Sequence, residues 1–102
     1  MSEKKIRGGS LIARALRDKG IENVFTLSGG FCNPALEGLM ECQIDVINCP
    51  HEQIAGHLAD GHTRITRKPT VCLVGPEGFA NAVTSMMEAW GERTPIIYIT
   101  GS

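Results

Sequence analysis

The sequence predicts an α/β fold, a three-layer sandwich around a mostly parallel sheet of about four strands. Three observations carry this. Short apolar runs rich in Val and Ile alternate with longer segments of helical period along the whole chain. Those runs lack the polar/apolar alternation of a half-exposed strand, so they suit strands covered on both faces. The junctions between them are short and carry Gly or Pro, which favours parallel strands joined by right-handed crossovers with helices on both sides of the sheet.

After a polar leader over residues 1–9, the domain is expected over 10–102. "GSLIARALRDKG" places Leu11, Ile12, Ala15 and Leu16 at helical spacing and stops at Gly20, a residue suited to a helix C-terminus. "ENVFTLSGG" reads as the first strand, with Val24, Phe25 and Leu27 buried and a Gly pair at its end. "NPALEGLMECQ" opens a helix with Asn33 as cap and Pro34 at the first helical position. "IDVINC" is the second strand. From Pro50 to about Arg67 the apolar residues Ile54, Ala55, Leu58, Ala59 and Ile65 recur every three to four positions, with Gly56 and Gly61 at closely packed or exposed sites. "PTVCLVG" is the third strand. "GFANAVTSMMEAWGER" is a helix starting near Gly78, whose Phe79, Val83, Met86, Met87 and Trp90 are expected to face the sheet. "TPIIYITGS" is the fourth strand.

The chain has 102 residues, enough for one core and not two. Ten Lys+Arg against eleven Asp+Glu give a formal charge of −1, so no broad attraction to nucleic acid or to an anionic membrane is written into it. No apolar stretch approaches the ~20 residues of a membrane span, and no apolar segment follows the basic start. The expected location is the cytoplasm. Cys32, Cys42, Cys49 and Cys72 form no CxxC pair and read as reduced, mostly buried thiols.

In parallel sheets, ligands gather beyond the carboxyl ends of the strands. Three loops qualify: "SGGFCN", "NCPHEQ" and "VGPEGFAN". Glu52 lies in the second. With Pro50 at the first helical position it occupies the third, where the helix dipole favours a carboxylate without any function. As a proton-transfer group it would need partial burial and a ligand within hydrogen-bond reach. His51, His57 and His62 raise the possibility of a metal, but His51 and His57 fall on different faces at about 3.6 residues per turn, and there is no HExxH. Neither GxGxxG nor GxxxxGK[ST] occurs, so the Gly turns carry no phosphate motif.

Taken together, "GIENVFTLSGG", "HEQIAGHLADGHTRITRKPTVCLV", the Gly/Pro turn with its Asn, and "TPIIYITGS" resemble, in order and spacing, the pyrimidine-binding domain of thiamine diphosphate enzymes. The group resembled is that of acetolactate synthase, 2-hydroxyacyl-CoA lyase and oxalyl-CoA decarboxylase, and the resemblance runs from about Ser10 to Ser102. It implies that Glu52 bonds to N1′ of the cofactor's aminopyrimidine. A carboxylic acid sharing a proton there promotes the imino tautomer, which in turn removes the thiazolium C2 proton. Gly29 and Gly30 match the family's turn after the first strand, with Ser28 in place of its proline. Gly78 and Asn81 match the last glycine and the asparagine of its Gly-Pro-Gly-x-x-Asn loop. That loop departs from the pattern: it is one residue shorter, Glu77 replaces a proline and the threonine is absent.

The resemblance also implies that magnesium and diphosphate are held by a separate domain carrying Gly-Asp-Gly, which this sequence does not contain. The expected partner is therefore a diphosphate-binding domain or subunit, in a homo- or hetero-oligomer, and the chain alone is not expected to turn over a 2-keto acid substrate. The alternative is a non-catalytic remnant or interaction domain pairing through "HEQIAGHLADGH", whose Ala55, Gly56, Ala59 and Gly61 allow close helix approach.

Overall fold

The computed structural model describes residues 7–27 and 33–101. Four helices and four strands alternate: α1 (Gly8–Asp18), β1 (Asn23–Thr26), α2 (Asn33–Glu41), β2 (Asp45–Asn48), α3 (Glu52–Thr66), β3 (Thr70–Val74), α4 (Phe79–Glu92) and β4 (Ile96–Thr100). The strands form one sheet in the order β2-β1-β3-β4, every pair parallel. The α/β class and the parallel sheet are as the apolar runs implied. β3 is buried along its whole length, the pattern of a strand covered on both faces.

Each face of the sheet has its own core. On one, Val24, Val71 and Leu73 pack with Ala13 and Leu16 of α1 and Leu39 of α2. On the other, Phe25, Cys72 and Val74 pack with Ala55 and Ala59 of α3 and with Phe79 of α4. Alternate residues of β3 thus serve opposite cores, which is the two-residue period of a strand used on both sides.

Only part of the expected helix faces turns inward: Leu16, Ala55, Ala59 and Phe79 pack against the cores, but the other large apolar residues of those faces do not. Leu11 and Ile12 of α1, Ile54, Leu58 and Ile65 of α3, and Val83, Met87 and Trp90 of α4 are exposed; Ile65 is 85% and Trp90 81% accessible. Apart from Leu16 in α1 and Asp60 and Thr63 in α3, the buried positions are small: Gly9, Ser10 and Ala13 in α1; Ala55, Gly56 and Ala59 in α3; Ala82, Ser85 and Ala89 in α4. Small residues let helix backbones approach closely, and that approach places the large apolar side chains outside the contact. A Cβ on Gly38 would lie 2.3 Å from the carbonyl oxygen of Gly9, and one on Gly56 1.8 Å from Ser85 Oγ. Gly61, by contrast, faces open space.

Buried polar groups are paired among themselves. Thr63 Oγ1 donates to Thr70 Oγ1 at 2.6 Å, and Ser85 Oγ donates to the Ala82 carbonyl and lies 3.0 Å from Tyr98 Oη. Asp60, nearly buried, is bridged by Arg64 at 2.9 Å one turn later, which raises the guanidinium above its ordinary value chiefly through that hydrogen bond.

α3 ends on Arg67, which adopts φ 61 and donates its N–H to Thr63 O. A side chain in this left-handed conformation is strained, and glycine is not. Arg67→Gly is therefore expected to stabilise the fold by about 0.5–1 kcal/mol, read as a higher midpoint in thermal unfolding.

Candidate active site

The order β2-β1-β3-β4 reverses direction between β1 and β3, so the loops leaving those two strands open onto one crevice at the carboxyl edge. α3 and α4 both start at this edge and lie side by side on one face, the connection between them made through Gly56 and Ser85. Residues far apart in sequence meet at the two helix starts.

α3 begins two residues later than the proline predicts. Pro50 and His51 precede it; His51 is the N-cap, its extended backbone (φ −158, ψ 149) followed by Glu52 as the first helical residue. The cap is made by the imidazole, whose Nδ1 accepts the Gln53 N–H at 3.1 Å. A ring nitrogen replaces the Ser, Thr or Asp oxygen usual at this position, so the helix gains its start from His51 rather than from Pro50. The carboxylate of Glu52 remains within the first turn, where the dipole favours it.

The Glu52 side chain is only 16% accessible. Asn81 Nδ2 donates to Glu52 Oε1 at 3.2 Å, across 29 residues of sequence. The other oxygen, Oε2, lies against Gly78: a Cβ there would be 2.3 Å from it and 2.6 Å from the carboxyl carbon. Glycine at 78 thus leaves room for the carboxylate. Gly78 is the N-cap of α4 with φ −73 and ψ −17, so its need is for space and not for an unusual backbone. Of the five residues singled out from the sequence, the fold brings Glu52, Gly78 and Asn81 into contact, whereas Gly29 and Gly30 lie outside the described residues.

Beneath this group sit two thiols. Cys49 and Cys72 are buried and free, as is Cys42. Burial above all, helped by Cys49 and then Glu52, pushes the Cys72 thiol up to about 12, and burial likewise raises Cys49. A thiol held neutral in the fold but ionising near its ordinary value of 9.0 when unfolded contributes stability that is lost as pH rises from about 9 toward 12. Cys72 is therefore expected to resist alkylation at pH 8 in the native protein and to react on unfolding, which mass spectrometry after iodoacetamide treatment would register.

The histidines diverge. His51 caps α3, His57 is exposed, and His62 lies tilted against Phe25 with its ring nitrogens 3.3 Å from Asn23 Nδ2 and 3.5 Å from Thr70 Oγ1. Among the described residues no three His, Cys, Asp or Glu side chains come together as a metal site, and no helix is long and apolar enough to cross a membrane. Ala55, Gly56 and Ala59, offered above as a surface for a partner helix, are buried in the chain's own core and against α4.

What the sequence did not reveal was the capping role of His51 and the direct hydrogen bond from Asn81 to Glu52. An Asn three residues after a glycine at a helix start is a usable signal for a side chain facing the crevice, but its partner is settled only by the pairing of α3 with α4.

The arrangement matches known proteins along nearly its whole length. The acetolactate synthase large subunit of Haemophilus influenzae is 37% identical over 101 residues, covering 96% of this chain and 18% of the relative. Isozyme 2 of the same large subunit from Escherichia coli K12 is 34% identical over 98 residues, again 18% of its length. The chain therefore spans less than a fifth of these curated relatives. The X-ray structure of a Mycobacterium smegmatis protein named as a thiamin diphosphate-dependent enzyme superposes with a TM-score of 0.81 at 24% identity, over 96% of this chain and 19% of that one, a likeness of fold. Residues 6–102 match the thiamine pyrophosphate enzyme, N-terminal TPP binding domain, and the chain belongs to that family.

Proposed function

We propose that this chain binds the aminopyrimidine of thiamine diphosphate, with Glu52 as the proton partner of ring atom N1′, as the N-terminal portion of an enzyme that makes or breaks C–C bonds in 2-keto acids. The observation that carries the reading is the Glu52 carboxylate, largely enclosed, held through Oε1 by Asn81 and given space at Oε2 by Gly78. One oxygen is occupied by the protein and the other is left to meet a ring nitrogen. Bound thiamine diphosphate supplies an electron sink for the carbanion left by C–C cleavage. The chain's own residues orient the ring and hold or release one proton at Glu52.

These residues fit the aminopyrimidine half of the cofactor. For the diphosphate and magnesium they offer no cluster of acidic ligands among the described residues, and Glu77 at the start of α4 disfavours an anion there. Both are assigned to a diphosphate-binding domain or subunit, and the exposed Ile54, Leu58, Ile65, Val83, Met87 and Trp90 provide apolar surface for such a partner. The reaction within the family is left to that partner: similar chains include acetolactate synthases and a probable 2-ketoarginine decarboxylase of Pseudomonas aeruginosa, 33% identical over 100 residues.

The test is a titration of the chain with thiamine diphosphate and with its free aminopyrimidine fragment, followed by NMR. Shifts confined to Glu52, Gly78, Asn81 and their neighbours support the reading; no binding, or binding elsewhere, removes it. Gly78→Ala sharpens this. The three atoms nearest its Cβ all belong to the Glu52 side chain beyond Cβ, so the carboxylate swings away and binding weakens by about tenfold, while circular dichroism reports an unchanged fold.

A further inference from the structure

We propose that His51 is a positioning residue for Glu52, one whose tautomer is set by the helix it caps. Its Nδ1 is committed as an acceptor to the Gln53 N–H at 3.1 Å. An imidazole with Nδ1 so used carries its proton on Nε2. That nitrogen lies 3.9 Å from Glu52 Oε1, too far for a direct hydrogen bond and close enough for the positive end of the N–H dipole, or one bridging water, to act on the carboxylate. Oε1 is the same oxygen that Asn81 holds. Two nitrogens, from the starts of two helices, therefore lie near one oxygen of Glu52, and Oε2 is left for a ligand.

The arrangement couples two functions in one ring. The cap that starts α3 is also what holds Nε2 at 3.9 Å from the carboxylate oxygen, so turning the ring over would lose both at once. With 47% of its side chain accessible, His51 is not held in place by a surrounding core; the cap is what fixes it. The inference rests on the aminopyrimidine reading of Glu52 for its consequence, though not for its geometry.

Three substitutions separate capping from positioning. His51→Ser keeps a cap oxygen but has no N–H to offer the carboxylate; His51→Asn keeps both an acceptor and an N–H; His51→Ala keeps neither. The expected thermal midpoints place Ser and Asn near the wild type and Ala below it. Aminopyrimidine binding is expected to weaken about threefold in His51→Ser and to be restored in His51→Asn. In a Glu52→Gln background the Ser substitution is expected to have a smaller effect, because the charge on which the N–H dipole acts has been removed. Wild-type affinity in His51→Ser would overturn the proposal and leave His51 a cap only. A chain that binds no aminopyrimidine would instead sink the functional reading. The ring itself then decides: imidazole ¹⁵N spectra of the free protein should show Nε2–H, with a signal that moves in Glu52→Gln. An Nδ1–H tautomer, or a signal indifferent to Glu52→Gln, would overturn it without any ligand.

Discussion

Glu52→Gln is expected to leave aminopyrimidine affinity within about tenfold of the wild type while reducing turnover of the enzyme completed by its diphosphate-binding partner by about 10²–10⁴-fold. The split follows from the two oxygens. Asn81 donates to Oε1, which fixes the glutamine with its carbonyl oxygen there and its NH₂ where Oε2 was. An amide N–H in that place can donate to a ring nitrogen, so the ligand is still held. It cannot accept or release a proton at working pH, and the acid–base contribution is lost. Calorimetry of ligand binding beside steady-state kinetics of the assembled enzyme reads both quantities. Equal losses in binding and turnover would show that Glu52 only anchors the ring, and unchanged turnover would remove it from the chemistry.

Gly38→Ala is expected to destabilise the fold by about 2 kcal/mol, or roughly 10 °C in thermal midpoint for a domain of this size. Helix propensity alone argues for the opposite sign, since Ala in place of a mid-helix Gly is worth about 1 kcal/mol. What overrides it is contact with main chain. The added Cβ would stand 2.3 Å from Gly9 O, 2.6 Å from Gly9 C and 2.9 Å from Ser10 Cα, and none of these can rotate away. α1 and α2 must separate, loosening the core that Ala13, Leu16 and Leu39 form with β1 and β3. Gly9→Ala meets Pro34 O at 2.1 Å and is expected to act in the same way. In the double variant the second substitution should cost less than the first, because the helices have already parted. Gly61→Ala is the internal control: it lies in the middle of α3 with nothing within 4 Å of its Cβ, so propensity should act unopposed and raise stability.

The two classes of glycine show where sequence reading stops. "LEGLM" and "ADGHT" look alike, each an isolated Gly inside a helical pattern. Only the crossing of α1 with α2 makes one intolerant of a methyl group and leaves the other indifferent. The same limit explains the helix faces. Hydrophobic period located α3 and α4, but the largest apolar residues were assigned inward because burial is favoured by apolar area. In this fold the helices approach through Ala, Gly and Ser, and Trp90, Met87 and Ile65 are left outside. The position of Glu52 was legible to within one helical turn, whereas the residue opening that turn was misread, since Pro50 is a common first residue and a histidine cap is not.

By itself the sequence determined the alternation of strand and helix, the burial of both sheet faces and the placing of a carboxylate at a helix start, because each depends on residue type and short-range spacing along one segment. The tertiary structure alone decided which side of each helix packs, that Asn81 reaches Glu52 and that Gly78 makes room for it. Those outcomes are set by how closely two backbones can approach, and this is a property of pairs of residues from different segments, such as Glu52 with Asn81 and Gly9 with Gly38.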